Sequence, residues 1–231
     1  MSSSAKVRWT VALSGAGLLA IAFRGGAMDL SVIGTTVKLP VTSMLQGRFK
    51  TTTRQQYDFS CGSAAVATLL TYHFNQPVSE QAVFEFMFKN GDQNVIRRQG
   101  FSMLDMKRFL TTRGFLADGF ELPLQKLIEA KLPAIVLVSE KGYNHFVVVK
   151  GLADGRILIG DPSSGTRAIA LDHFQTIWQN KLLFVIHNYQ GVPAFNASAD
   201  WRAAPSAVLA EGVGRIGLDV LTIPKHGAGE F

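Results

Sequence analysis

The order in which helical and strand-like patterns follow one another constrains the fold of this chain more than any other feature. Helix signals come first: an alanine-rich run after Ser60, an apolar segment preceded by Ser79, and a capping-box-like start at Ser102. Strand-like apolar runs come afterwards, over residues 134–139, 145–150, 156–159 and 182–187, with a helix expected over 172–179. We therefore predict an α+β fold in which helices pack on an antiparallel sheet.

Cys61, the single cysteine among 231 residues, lies at the predicted start of the first helix, after Ser60 as the expected N-cap. The positive end of a helix dipole lowers the pKa of a thiol, and a nearby imidazolium lowers it further. Gln55 precedes Cys61 by six residues, so the loop between them can aim its side-chain amide at a carbonyl under attack. With the Cys61 N–H, that amide would form an oxyanion hole, in which each donor contributes ~3 kcal/mol.

A histidine and an aspartate occupy the same end of a predicted hairpin. His145 begins the first strand, Asp161 follows the second, and Asp154-Gly155 forms the turn between them. A tight turn would offset the two side chains, whereas a looser turn or a bulge would bring them opposite, and the sequence does not fix the register. In either case the carboxylate can hold the imidazole while the other ring nitrogen faces the thiol.

Each of these four residues also has an ordinary structural explanation. A lone cysteine is more often a small buried core residue than a nucleophile. A histidine at the start of a strand can bond to a loop, and an aspartate before proline commonly forms a turn. The combination of all four is a rarer coincidence, and it favours a thiol nucleophile with a histidine base.

The arrangement resembles the bacteriocin-processing, or double-glycine, cysteine peptidases of the papain-like clan. Those proteins carry a glutamine, a loop and a Cys-Gly pair at a helix start, then a histidine opening a valine-rich strand and an Asp-Pro pair after the next strand. Gln55, Cys61, His145 and Asp161 match in order. Ser60 departs from the pattern, because many members fused to exporters have aspartate there.

This resemblance implies a papain-like fold, with the nucleophile helix packed on the sheet, and catalytic roles for Gln55, Cys61, His145 and Asp161. It implies a peptide or protein substrate cut after a small pair such as Gly-Gly. The chain is also similar to periplasmic members encoded with functional-amyloid secretion systems, whose proteins are then candidate partners. Two other functions stay open: a catalytically silent module that binds secretion substrates, and acyl or amide transfer through the same thioester chemistry.

The amino terminus has the order of an export signal. Lys6 and Arg8 precede the apolar stretch 9–23, and small residues suit cleavage after Ala27. We therefore predict a signal peptide over 1–27 and a periplasmic protein, with an uncleaved inner-membrane anchor as the alternative. The remaining boundaries are predicted as an extended arm over 28–53, the peptidase domain over 54–188 and a C-terminal extension over 189–231. Residues 90–100 are expected to form a polar loop.

Charge and composition argue against several partners. Loss of the predicted signal lowers the net charge from +6 to +3, which is too mild to indicate nucleic acid. No membrane span is expected once the signal is cleaved. No cofactor or metal is expected, because His173, His187 and His226 lack the spacing of metal ligands. His73 lies about three turns along the first helix from Cys61 and is expected to pack or cap.

Overall fold

The computed structural model describes residues 27–32, 35–40, 43–140 and 142–205. The predicted signal peptide lies outside the described residues up to position 26, as does the C-terminal segment after residue 205. Within the described ranges, no helix combines the length and hydropathy needed to cross a bilayer. The chain divides into two units, residues 1–42 and 43–231. In the first unit β1 (Ala27–Val32) and β2 (Thr35–Pro40) form an antiparallel pair.

The second unit begins with helices. They are α1 (Met44–Arg48), α2 (Cys61–Thr68), α3 (Glu80–Asn90), α4 (Gln93–Gln99) and α5 (Met103–Thr112). A π-helical turn over Leu69–His73 continues α2. The expected caps are present, since Ser79 and Ser102 each accept a backbone N–H from three residues ahead.

The polar loop expected over 90–100 is wrong, because α4 occupies most of it. Asp92 caps this helix by accepting hydrogen bonds from the N–H groups of Asn94 and Val95. Ile96 is buried against the neighbouring helices and anchors the segment. A single buried apolar residue in a polar stretch carries too weak a periodicity to indicate a helix from the sequence.

An antiparallel sheet of six strands follows the helices, in the order β3-β8-β4-β5-β6-β7. Its strands are β3 (Ala117–Glu121), β4 (Ala134–Glu140), β5 (Tyr143–Ala153), β6 (Arg156–Asp161), β7 (Gly165–Ala170) and β8 (Leu182–Ile186). Short helices α6 (Gln125–Ala130), α7 (Leu171–Ile177) and α8 (Ser198–Trp201) lie between or after them. The α+β class is confirmed, although β3 and β7 were not predicted.

The sheet is buried on both faces. Phe146 and Val148 of β5 belong to the core cluster that contains α2, α3 and α5. Val147 and Val149 belong to the second cluster, with α6 and α7. A strand that is buried on both faces has a continuous apolar sequence, which explains the unbroken run in β5.

The hairpin of β5 and β6 combines a tight turn with a bulge. Ala153 pairs with Arg156 across the turn, but the register shifts by one residue between Val149 and Gly151, so that Val148 lies opposite Gly160. Continued by one pair, this register places Asp161 beside Val147, whose side chain shares a face with that of His145. With the same turn and no bulge, Asp161 would lie opposite Val148, on the other face of the sheet. The extra residue, Lys150, instead puts Asp161 on the face that His145 occupies.

Residues 189–205, which we call the strap, pack against the rest of the second unit. Their backbone is joined to the core by two bonds: Ala194 N–H to the His73 carbonyl at 2.9 Å, and Asn196 N–H to the Lys150 carbonyl at 2.9 Å. Lys150 is fully buried, and its Nζ lies 2.7 Å from Asp200 Oδ1 on α8. His73 Nδ1 donates to the Ala194 carbonyl at 2.6 Å, so this histidine holds the strap.

Candidate active site

Cys61 is the first residue of α2 and is buried, with 6% of its surface exposed. Ser60 occupies the N-cap position, but its hydroxyl makes no capping hydrogen bond to the helix. Ser60 Oγ instead accepts from the Tyr57 N–H at 3.1 Å and lies 3.0 Å from the Tyr57 carbonyl. The amide groups of the first turn are therefore not occupied by the side chain that the sequence suggested.

The structure brings His145 and Asp161 together. His145 Nε2 lies 2.8 Å from Asp161 Oδ1 in a buried pair, and because a carboxylate only accepts, Nε2 carries the proton. Nδ1 is buried and makes no hydrogen bond of regular geometry to the described residues. The Cys61 thiol nevertheless lies close enough to this ring to affect its charge state. Burial lowers the pKa of His145, but the interactions of the ring with Asp161 and Cys61 outweigh it and raise that pKa to about 9.

Asp161 is held from several directions. Its Oδ1 accepts hydrogen bonds from the Ser163 N–H at 2.8 Å, the Ser163 hydroxyl at 2.7 Å and the Ser164 N–H at 3.3 Å. Burial would raise the pKa of this carboxyl, but the bonds to His145 and Ser163 keep it well below its usual range. Asp161 is therefore an anion beside the imidazole at neutral pH.

Sequence reasoning missed Arg167, which touches the other oxygen of Asp161. Arg167 Nε and a terminal guanidinium nitrogen lie 3.3 and 3.2 Å from Asp161 Oδ2. The same terminal nitrogen lies 3.2 and 3.1 Å from the two oxygens of Glu140. Arg167 belongs to β7, a strand that was not predicted, so no local pattern could place it near the pair.

The Gln55 side chain is engaged by its own loop. Its Nε2 donates to the Tyr57 carbonyl at 3.0 Å and approaches the Asp58 carbonyl at 3.5 Å, while its Oε1 is buried without a partner among the described residues. The Gln55 N–H donates to the Pro162 carbonyl at 3.0 Å, which joins this loop to the residue after Asp161. The structure thus places Gln55 in the loop over 54–60 that precedes the predicted nucleophile, which we call the nucleophile loop, and next to the end of β6.

A buried carboxyl lies behind Cys61. Ser63 Oγ is 2.8 Å from the Ser60 carbonyl and 2.6 Å from Glu80 Oε1, yet its hydroxyl has a single proton. Both contacts are hydrogen bonds when Glu80 is protonated and donates to Ser63, and burial raises the Glu80 pKa in that direction. The Ser60 carbonyl and the Cys61 N–H belong to one planar peptide group, so these bonds orient the amide at the start of α2.

A cleft of about 780 Å³ opens beside Cys61. The nucleophile loop lines it with Asp58 and Phe59, and α4 lines it with Val95 and two arginines. Tyr143 lies on the strand that carries His145, and its hydroxyl donates to the Asp58 carbonyl at 2.6 Å. This bond connects the two elements that carry the thiol and the imidazole.

The other histidines among the described residues lie apart from this site. Among the described residues no group of three or more His, Cys, Asp or Glu side chains could hold a metal ion. His187 Nε2 pairs with Asp118 at 2.9 Å on the surface. His226 lies outside the described residues, and His73 bonds to the Ala194 carbonyl of the strap.

A thiol at a helix start, facing an imidazole–carboxylate pair on an antiparallel sheet, is the arrangement of papain-like cysteine peptidases. The fold agrees: the peptidase domain of Streptococcus ComA, a bifunctional ABC transporter of a quorum-sensing pathway, superposes with a TM-score of 0.50 at 22% identity. That superposition covers 59% of this chain and 96% of the ComA domain. The Peptidase C39 family model matches residues 50–190, so the chain belongs to this family and is a cysteine peptidase.

Two relatives carry the same name. The chain is 40% identical over 153 residues to the "Probable functional amyloid protease FapD" of Pseudomonas aeruginosa, across 66% of this chain and 67% of that protein. It is 38% identical over 177 residues to the protein of the same name from Pseudomonas fluorescens, across 76% of this chain and 77% of the relative. The predicted family and the predicted cysteine peptidase activity are confirmed.

Proposed function

We propose that Cys61 is the nucleophile of this peptidase, with His145 as its base and Asp161 as the residue that orients the imidazole. The contact that supports this most directly is the 2.8 Å bond between His145 Nε2 and Asp161, which leaves Nδ1 as the ring nitrogen that faces the thiol. Cys61 is also the single cysteine of the chain. A cysteine peptidase with one cysteine has one candidate nucleophile.

The chemistry follows from these positions. His145 Nδ1 takes the proton of Cys61, and the thiolate attacks the scissile carbonyl carbon to form a tetrahedral oxyanion. The imidazolium then donates its proton to the leaving amine as the C–N bond breaks, which leaves a thioester on Cys61. Water, deprotonated by the same imidazole, attacks the thioester and releases the new carboxylate and the free thiol.

The oxyanion is stabilised by the Cys61 N–H and by Gln55. The amide of Cys61 is oriented by the bond from the Ser63 hydroxyl to the Ser60 carbonyl of the same peptide group, and Glu80 holds that hydroxyl in place. Gln55 Nε2 has a second proton and lies in the nucleophile loop, and it reaches the oxyanion when a substrate displaces its contact to the Asp58 carbonyl. Each such donor contributes ~3 kcal/mol to the transition state.

The substrate is an exported protein or peptide, cut after a small pair such as Gly-Gly. The cleft beside Cys61 favours small side chains next to the scissile bond, because Cys61 is a buried residue and the elements around it leave little room for a bulky group. The names of the relatives at 40% and 38% identity support an amyloid-secretion component as the substrate. The apolar amino terminus with its basic flank supports a periplasmic location.

The rival proposal is a silent module that binds secretion substrates without cutting them. The observation that favours it is the engagement of the Gln55 amide by loop carbonyls rather than by the cleft. The assembled and buried His145–Asp161 pair favours turnover, since binding alone needs no imidazole held by an anion.

The first test uses the full chain and an internally quenched peptide that contains one Gly-Gly pair within a polar sequence. Wild type is expected to cleave after the second glycine, whereas Cys61→Ser and His145→Ala are expected to lose at least about a thousandfold in kcat/KM. A second peptide with Val-Val in place of Gly-Gly is the matched substrate control. Equal cleavage by wild type and Cys61→Ser would exclude the proposed nucleophile.

The location is tested separately. Periplasmic fractionation and amino-terminal sequencing of the exported protein are expected to yield a chain beginning at Met28. A protein recovered with the membrane fraction and an intact amino terminus would instead support the anchor.

A further inference from the structure

Arg167 lies across the end of the strand that carries His145. In the sheet order β4-β5-β6-β7, Arg167 starts from β7, contacts Asp161 at the end of β6 and reaches Glu140 at the end of β4. The Arg167 side chain therefore spans β5, whose first residue, Tyr143, pairs with Glu140. One guanidinium therefore joins the ends of the two strands that flank His145.

The two oxygens of Asp161 have different partners. Oδ1 accepts from His145 and from the serines that follow Asp161, whereas Oδ2 is contacted by Arg167 alone among the described residues. Because a carboxylate is planar, fixing both oxygens fixes the plane in which Oδ1 meets the imidazole. Loss of Arg167 would leave Oδ2 without a donor and allow that plane to rotate.

Arg167 and Glu140 also change the electrostatic potential at the imidazole. The positive charge of Arg167 disfavours protonation of His145, and the negative charge of Glu140 cancels part of this effect. Arg167 is 24% exposed and Glu140 40%, so solvent screens the pair only in part. Cys61 of α2 and Asp161 of β6 interact with the imidazole directly, and the Tyr143 ring of β5 lies 6.0 Å from it. The charged groups one contact further away are Asp58, which acts on Tyr143, Arg167 of β7, which contacts Asp161, and Glu140 of β4, which contacts Arg167.

We infer that Arg167, held by Glu140, is a positioning residue that fixes the second oxygen of Asp161 and sets the pH window in which the thiolate–imidazolium pair exists. The inference rests on the proposed roles of Cys61 and His145. It adds two residues to the site and gives them opposite effects: Arg167 moves the window to lower pH, and Glu140 moves it to higher pH.

The test is the rate of Cys61 alkylation by iodoacetate as a function of pH, followed by intact mass on the full chain. The rate rises as the thiolate forms, and it falls as the imidazolium that attracts this anionic reagent loses its proton. Both limbs depend on the local positive charge. Arg167→Met is therefore expected to move both limbs to higher pH by about half a unit, and Glu140→Gln to move both to lower pH by a smaller amount.

Three further variants make the result specific. The double variant with Arg167→Met and Glu140→Gln is expected to lie between wild type and Arg167→Met, because the two charges act on the imidazole with opposite signs. Arg167→Lys keeps the charge and is expected to return the limbs toward wild type. Arg113→Met, which removes an exposed arginine stacked on Phe109, is the matched control and is expected to move neither limb.

Limbs that stay fixed in both single variants, or that move in the same direction, would overturn the inference. Glu140→Gln keeps this readout available if Arg167→Met does not fold, since Glu140 lies at the partly exposed rim. A wild-type profile without two limbs, unchanged in His145→Ala, would instead contradict the proposed thiol–imidazole pair itself. The two failures are therefore distinguishable in one experiment.

Discussion

Replacement of Asp200 by asparagine is expected to destabilise the whole second unit, because this residue neutralises a buried lysine. Lys150 Nζ is fully buried and lies 2.7 Å from Asp200 Oδ1, and its other bonds go to uncharged oxygens of Thr51 and Thr166. Among the described residues Asp200 is the one carboxylate that pairs with Lys150. Asp200→Asn would leave an uncompensated cation in the core.

The size of the effect has a lower and an upper bound. Breaking a buried ion pair by removing one partner typically costs about 3–5 kcal/mol. The lysine can also escape by losing its proton, and at pH 7 that costs about 5 kcal/mol for a group with an unperturbed pKa near 10.4. We therefore expect a loss of about 3–5 kcal/mol at pH 7.

Loss of the Lys150 proton in the folded variant predicts a distinctive pH dependence of stability. If Lys150 is neutral in the folded variant and charged in the unfolded chain, the stability deficit of the variant relative to wild type shrinks by about 1.4 kcal/mol per pH unit up to pH ~10. The raised pKa of His145 makes stability fall between about pH 6.5 and 9 in both proteins, so the effect of the lysine is measured from the difference between them. The measurement is equilibrium urea denaturation followed by tryptophan fluorescence between pH 6 and 9.

Two variants serve as controls. Glu121→Gln makes the same acid-to-amide change at an exposed position and is expected to be neutral. The double change Lys150→Met with Asp200→Leu removes both charges and is expected to recover most of the loss. An Asp200→Asn protein within about 1 kcal/mol of wild type would refute the view that the strap is part of the folded unit.

Three further outcomes are expected. Glu80→Gln should retain near-wild-type kcat for Gly-Gly peptide cleavage because its amide can still donate to the serine hydroxyl, whereas Glu80→Leu should lose about tenfold in kcat with KM little changed. Asp161→Asn should lower stability by about 2 kcal/mol below pH ~6.5. That difference should shrink as the pH rises through about 9, the raised pKa of its imidazole partner, in urea denaturation at each pH. Gly165→Ala should cost ~2 kcal/mol by thermal unfolding, more than Gly114→Ala. Both glycines have positive φ (+82° and +80°), but a Cβ at Gly165 would lie 2.6 Å from that of Arg48 and one at Gly114 would meet nothing within 4 Å.

The sequence was sufficient for the parts of the site that depend on local signals. The alanine-rich run placed Cys61 at a helix start, and the turn at Asp154-Gly155 placed His145 and Asp161 at one end of a hairpin. The caps of Ser79 and Ser102 followed from their spacing alone. Each of these features is set by residues within a few positions of one another, where propensity and capping decide the backbone.

The rest depended on contacts between distant parts of the chain. The Ser60 hydroxyl was expected to cap α2 but bonds to Tyr57 instead, because the loop turns back on itself. Arg167 reaches the site only through the pairing of β7 with β6, and no local pattern carries that information. The strap is tied down by one buried ion pair and a few backbone bonds, so its polar and alanine-rich sequence has no strong periodicity to detect.

Because of the bulge at Lys150, the number of residues in β5 decides whether His145 and Asp161 lie on the same face of the sheet. Side chains on a strand alternate between faces, so a one-residue slip of this pairing would put Asp161 on the face opposite to His145. A hairpin that kept the same residues and turn but lost the bulge would make that slip and pair Asp161 with Val148. Deletion of Lys150 would remove the bulge and the extra residue together, so Val149 would still pair with Ile159 and Asp161 would stay on the face of His145. A length series of variants in this hairpin should therefore separate deletion of the bulged residue, which keeps the pairing, from insertion of one residue between the bulge and the turn, which shifts it.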